Sequence, residues 1–118
     1  MSKMAELCVG ALTEVDDPGC REFSIGAGDW PLRGFIVRRG DVVYAYQNVC
    51  AHVGHPLNWR PDTFLTKDQS AIICASHGAM FDIETGKCFA GPCHGQSLRA
   101  VTTEVRDGLI YVSGPESA

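Results

Sequence analysis

Ser70-Ala71-Ile72-Ile73-Cys74-Ala75-Ser76-His77-Gly78-Ala79-Met80-Phe81-Asp82 holds a strand signal, a metal-ligand pair and a second strand signal in one short segment. Ser70 to Cys74 is apolar and β-branched, so it reads as a strand that delivers Cys74 at its end. His77 follows three positions later, and Ala79 to Ile83 reads as the next strand. A Cys-x-x-His pair at a strand-to-turn junction describes a ligand loop on a β scaffold.

Upstream lies a second pair of different spacing, Cys50-Ala51-His52. Residues 53 to 73 separate the two pairs, so each sits on its own loop and the two loops can clamp one centre. Together they offer two thiolates and two imidazoles. A zinc ion accepts that set in tetrahedral geometry. A two-iron cluster, with thiolates on one iron and imidazoles on the other, fits it better. The six cysteines are 8, 20, 50, 74, 88 and 93, and the four histidines are 52, 55, 77 and 94. Four of the cysteines and every histidine fall between 50 and 94, which marks a metal region rather than a disulfide framework. Cys8 and Cys20 read as core or surface thiols, and Cys88 and Cys93 as buried thiols.

Around this region the apolar pattern is short and strand-like, with almost no helical period. Leu7 to Leu12 and Glu22 to Ile25 read as strands. Leu32 to Arg38 and Val42 to Asn48 form a hairpin across Arg39-Gly40-Asp41, with Gly40 suited to a left-handed turn position. Cys88 to Ala90, Leu98 to Val105 and Leu109 to Val112 follow, the last two joined by Asp107-Gly108. About nine short strands predict an all-β, antiparallel sandwich or barrel. The expected organisation is a single domain over 1–118. Its base strands cover about 5–48 and 96–113, and a smaller inserted cluster-binding subdomain covers about 49–95. Trp59 and Phe64 are read as packing the long segment between the ligand pairs.

With 118 residues, one domain is the expectation. The charge is −4, the pI is about 5.4, and no basic stripe is present, so nucleic acid is not an expected partner. No apolar run approaches the ~18 residues of a membrane span. The first residues lack a signal-peptide pattern. These features predict a cytoplasmic protein without a membrane partner.

The segment 74–82, followed by Thr85-Gly86 and Gly91-Pro92, resembles the Rieske [2Fe-2S] proteins, most closely the small ferredoxins of bacterial ring-hydroxylating dioxygenase systems. Cys50-Ala51-His52-Val53-Gly54-His55-Pro56-Leu57 resembles the first ligand box of that family. The resemblance covers roughly residues 5 to 113. It implies one Rieske-type [2Fe-2S] cluster, with Cys50 and Cys74 on the buried iron and His52 and His77 on the outer one. By the same resemblance Gly54 and Gly78 let backbone approach the cluster and aim N–H groups at its sulfurs, and Pro92 covers it from a third loop.

The departures from respiratory members of the family are informative. Those members carry a disulfide between the two loops, and the matching positions here are His55 and Ser76. They also place two hydroxyl donors after the last ligand, where this chain has Ala79 and Phe81. Donors aimed at sulfur favour the reduced cluster, so their loss implies a low potential, roughly −150 mV. Such a protein is expected to be a soluble one-electron carrier between a flavin-dependent reductase and a terminal oxygenase, without catalysis of its own and monomeric when free. The alternatives are the small Rieske subunit of a larger reductase, such as nitrite reductase, and a zinc-stapled binding module.

Overall fold

The computed structural model describes residues 4–25, 32–48, 64–74, 78–91 and 96–115. Nine strands run through these residues: β1 (Met4–Ala11), β2 (Gly19–Ile25), β3 (Leu32–Arg39), β4 (Val42–Gln47), β5 (Ile72–Ile73), β6 (Met80–Phe81), β7 (Cys88–Ala90), β8 (Thr102–Arg106) and β9 (Leu109–Pro115). They form three antiparallel sheets in the orders β1-β9-β8, β2-β3-β4 and β5-β6-β7. Among the described residues the only helical element is a 3-10 turn at Leu12–Glu14. The all-β, antiparallel expectation therefore holds.

Phe35-Ile36-Val37 sets the layering. Successive side chains of a strand face opposite sides, yet all three of these are fully buried. β3 therefore has core on both faces. Phe35 and Val37 join one apolar cluster with Phe64, Ile72, Phe81, Ile83 and Leu98. Ile36 joins the other, with Phe23, Ile25, Ile110 and Val112. β4 repeats the alternation, sending Tyr46 to the first cluster and Val43 and Ala45 to the second. The β2-β3-β4 sheet is thus the middle layer, flanked by the sheet of the two chain ends and by the sheet that carries Cys74.

Backbone bonds close the outer layers onto the middle one. Gln47 N–H donates to Arg99 O at 2.8 Å, and Val101 N–H donates to Ala45 O at 2.9 Å. Residues 99–101 thereby run from the middle sheet into β8. These bonds also explain why β8 begins at Thr102, later than the expected Leu98: Leu98 N–H donates to Gly86 O instead of to a ladder partner. Arg38 Nη1 donates to the carbonyls of Leu12 and Val15 at 3.0 and 2.9 Å, which pins the 3-10 turn to β3. Both expected tight turns form. Arg39 pairs with Val42 around Gly40-Asp41, and Asp107-Gly108 takes the two positive φ angles, 52° and 76°, of a type I′ hairpin.

Residues before β5 extend the third sheet. Ile73 N–H donates to Phe64 O and Thr66 N–H to Ala71 O, both at 2.9 Å. The turn between them is held by Asp68, whose carboxylate accepts from Thr66 Oγ1 at 2.6 Å and Ser70 Oγ at 2.7 Å. Phe64 is buried and stacked on Phe35, with ring centroids 4.0 Å apart and planes 8° from parallel. The packing role read for Phe64 is therefore observed, while Trp59 lies outside the described residues.

Candidate metal centre

Cys74 follows β5 directly, and its position is fixed from both sides. Its N–H donates to Ala79 O at 2.8 Å, and its carbonyl accepts from Gly78 N–H at 2.8 Å. These two bonds close the neck of a loop whose apex, residues 75–77, lies outside the described residues. The Cys74 side chain is fully buried beside Ile72, Ala79 and Phe81.

Gly78 has φ +70°, and a Cβ there would meet nothing within 4 Å. Glycine is required at this position by backbone conformation, not by space. Its own N–H donates to the Cys74 carbonyl within the loop. Gly91 is required for both reasons. Its φ is +93°, and a Cβ would lie 2.7 Å from Ala79 Cα. The third loop thus starts pressed against the second. Ala79 and Phe81 are fully buried, so the two positions without a side-chain donor form the apolar floor behind Cys74. Cys88 is also buried, and its thiol donates to Ala90 O at 3.2 Å.

Tyr46 reaches this hairpin from the middle sheet. Its hydroxyl donates to Ile83 O at 2.6 Å, and its ring lies where a Cβ on Gly86 would come within 2.7 Å of Cε1. Burial, with the negative charge of Asp82 adding to it, pushes the phenol up to about 12.

Of the expected site residues, Cys74 and Gly78 are described, and the Gly78–Cys74 hydrogen bond brings them together. Cys50, His52, Gly54, His77 and Pro92 lie outside the described residues, as do His55, Cys93 and His94. Every histidine is among these, and among the described residues no group of three or more metal-binding side chains occurs. Two contributors have no assigned role in the sequence reading. Tyr46 carries a weak signal, a polar tip on the buried face of an alternating strand, which needs a partner. Gly91 enters the sequence reading only as part of the Gly91-Pro92 resemblance; its approach to Ala79 is set by tertiary structure.

The described residues fit a metal centre chemically. A thiol amid apolar side chains is disfavoured as a thiolate unless a cation stands beside it. Both backbone polar groups of Cys74 are hydrogen-bonded at the neck of the loop. Soft thiolate suits zinc or iron.

The Rieske [2Fe-2S] domain family matches residues 6–106. The chain belongs to the Rieske [2Fe-2S] family. Its cofactor is accordingly a [2Fe-2S] cluster with two Cys and two His ligands, which sets the zinc alternative aside. Among solved structures, this Rieske domain is similar to the ferredoxin of carbazole 1,9a-dioxygenase from Nocardioides aromaticivorans IC177, with 27% identity, TM-score 0.73, and coverage of 92% of this chain and 96% of that one. It is also similar in fold to a chain of the complex of reduced oxygenase and oxidized ferredoxin in carbazole 1,9a-dioxygenase, at 24% identity, TM-score 0.73 and 97% coverage of both chains. A third likeness in fold is the Sphingomonas yanoikuyae B1 ferredoxin, at 23% identity, TM-score 0.67, and coverage of 93% of this chain and 99% of that one. Among curated proteins no match is found. Among the described residues no helix is long and apolar enough to cross a membrane.

Proposed function

We propose that this Rieske domain is a one-electron carrier that works between a flavin-dependent reductase and a terminal oxygenase, with no catalytic residue of its own. The observation that carries the reading is the likeness to a dioxygenase ferredoxin over nearly the full length of both chains. When bound, the cluster takes up and gives up one electron.

In this reading Cys50 and Cys74 hold the buried iron, and His52 and His77 hold the outer one. Gly54, Gly78 and Pro92 shape the surrounding loops. The neck bonds at Ala79 and Gly78 hold Cys74 in place, and Ala79 and Phe81 exclude water behind it. Neither offers a side-chain hydrogen bond, which supports a potential low in the family range, roughly −150 mV. The base is formed by strands of about 5–48 and 96–113, and residues about 49–95 form the inserted cluster-binding part. The free protein is a cytoplasmic monomer.

The test is spectroscopic and then functional. The purified protein should be brown-red and show a reduced-state EPR signal, and Cys74→Ser should abolish both. A redox titration should place the midpoint near the low end. It should then support turnover when placed between a flavin reductase and an aromatic-ring oxygenase. A colourless protein overturns the cluster assignment, a clearly positive midpoint overturns the low-potential reading, and stable co-purification with a large reductase subunit overturns the free carrier.

A further inference from the structure

A cluster clamped by two loops requires those loops to keep a fixed separation. The loops leave different layers of the fold. β4 ends at Gln47, three residues before Cys50, so the middle sheet leads into the first ligand pair. β6 starts at Met80, directly after the neck residue Ala79, so the third sheet carries the second pair. Nothing in the local sequence of either loop sets the distance between them. It is set by contacts between the layers, among them the Phe35–Phe64 stack, the backbone route Gln47 N–H to Arg99 O and Leu98 N–H to Gly86 O, and the approach of β4 to the β6–β7 hairpin.

One side chain makes such a contact in a directional way. Tyr46 stands on β4 one residue before its end, and its hydroxyl donates to Ile83 O at 2.6 Å. Ile83 lies two residues beyond β6, in the turn toward β7. That turn is itself stiff: Gly86 N–H donates to Asp82 O at 2.7 Å, and Asp82 N–H donates to Lys87 O at 2.9 Å. Gly86 leaves room for the ring, because any Cβ would come within 2.7 Å of it. From Ile83 the path back to Cys74 is short and rigid. Phe81 pairs with Ile72, Met80 pairs with Ile73, and Ala79 accepts from Cys74 N–H. Ile83, Phe81, Ala79, Ile72 and Cys74 are buried along this path, Met80 and Ile73 are half-buried, and Asp82 is exposed.

We propose that Tyr46 is a positioning residue for the cluster, tying the strand that leads into the first ligand loop to the hairpin that anchors the second. The tie rests on the assignment of Cys50, His52, Cys74 and His77 as ligands. A buried hydroxyl–carbonyl bond suits the task better than apolar contact alone, because it fixes direction as well as distance. Its loss also leaves the Ile83 carbonyl buried without that partner, which favours rearrangement of the turn.

The test compares loaded wild type, Tyr46→Phe and Thr103→Val. The last removes a hydroxyl–carbonyl bond of similar kind, Thr103 Oγ1 to Tyr111 O at 2.9 Å, between β8 and β9. Two quantities are read: the rate of iron release to a chelator and the EPR line shape of the reduced cluster. Tyr46→Phe should release iron about tenfold faster, the effect of one buried hydrogen bond, with a broadened or shifted spectrum. Thr103→Val should match wild type in both. Failure of Tyr46→Phe to load, with its far-UV circular dichroism unchanged, also supports the proposal. A Tyr46→Phe protein with wild-type spectrum and release rate overturns it, as does a Thr103→Val protein that releases iron equally fast. If wild type is coloured and Cys74→Ser is not, those outcomes sink the tie alone. A colourless wild type overturns the ligand assignment and the tie together.

Discussion

Truncating Phe64 to alanine probes whether the segment before β5 is built into the core. Phe64 is 1% exposed and stacks on Phe35, itself 0% exposed, at 4.0 Å. Its backbone carbonyl accepts from Ile73 N–H, so the ring and the third sheet are joined. Removing a buried Phe side chain costs about 3–5 kcal/mol through lost transfer energy and an unfilled cavity. The ring–ring geometry accounts for about 0.5–1.5 kcal/mol of that. In a chain of 118 residues, each kcal/mol lowers the Tm by roughly 4 °C, so Phe64→Ala should melt about 12–20 °C below wild type. Thermal unfolding followed by far-UV circular dichroism, with urea titration for the free energy, measures both. A double-mutant cycle of Phe35→Leu and Phe64→Leu should return a coupling within the ring–ring range. A Phe64→Ala loss of about 0.5 kcal/mol or less, the scale of an ordinary surface change, would place the ring outside the core and refute the reasoning.

Two glycines near Cys74 should respond differently. Gly78→Ala incurs only the left-handed backbone penalty, about 1–2 kcal/mol, because its Cβ meets open space, whereas Gly91→Ala adds a clash with Ala79 and should cost about 1–3 kcal/mol more; equal urea midpoints for the two variants would contradict this. Tyr46 should stay protonated long after an ordinary phenol ionises. Its folded pKa is raised to about 12, so the stability it contributes is whole below about pH 10 and is lost as pH rises through 12. Tyrosinate absorbance should therefore show one late phase that Tyr46→Phe removes. Asp68 behaves in the opposite sense. Hydrogen bonds from Thr66 and Ser70 lower its pKa to about 2, so its contribution is present above about pH 4 and disappears as pH falls through 2. Asp68→Asn should flatten the stability profile in that window, and an unchanged slope would remove Asp68 from the account.

The strand pattern was legible in the sequence because it is local. Period-two alternation with Gly40 and Asp107-Gly108 between the runs places two hairpins without reference to anything distant. Cys74-x-x-His77 and Cys50-x-His52 advertise a thiolate–imidazole centre through residue type and spacing alone. The apolar Ala79 and Phe81 are likewise visible as missing donors. The later start of β8 escaped because residues 98–101 find their hydrogen-bond partners in Gly86 and β4, far away in the chain.

The sequence by itself thus determined the all-β class, through short-range alternation, and pointed to the Rieske family and its cluster through the resemblance of its two ligand boxes. Tertiary structure alone decided that β3 and β4 lie between two cores, that Phe64 stacks on Phe35, that Gly91 presses on Ala79, and that Tyr46 reaches Ile83. The Phe64 and Tyr46 contacts join residues from different layers, and Gly91 meets Ala79 across the β6–β7 pair of the third sheet. Which carbonyl satisfies a buried hydroxyl follows only from how the sheets stack, and which backbone a glycine must clear follows from how its strand pairs.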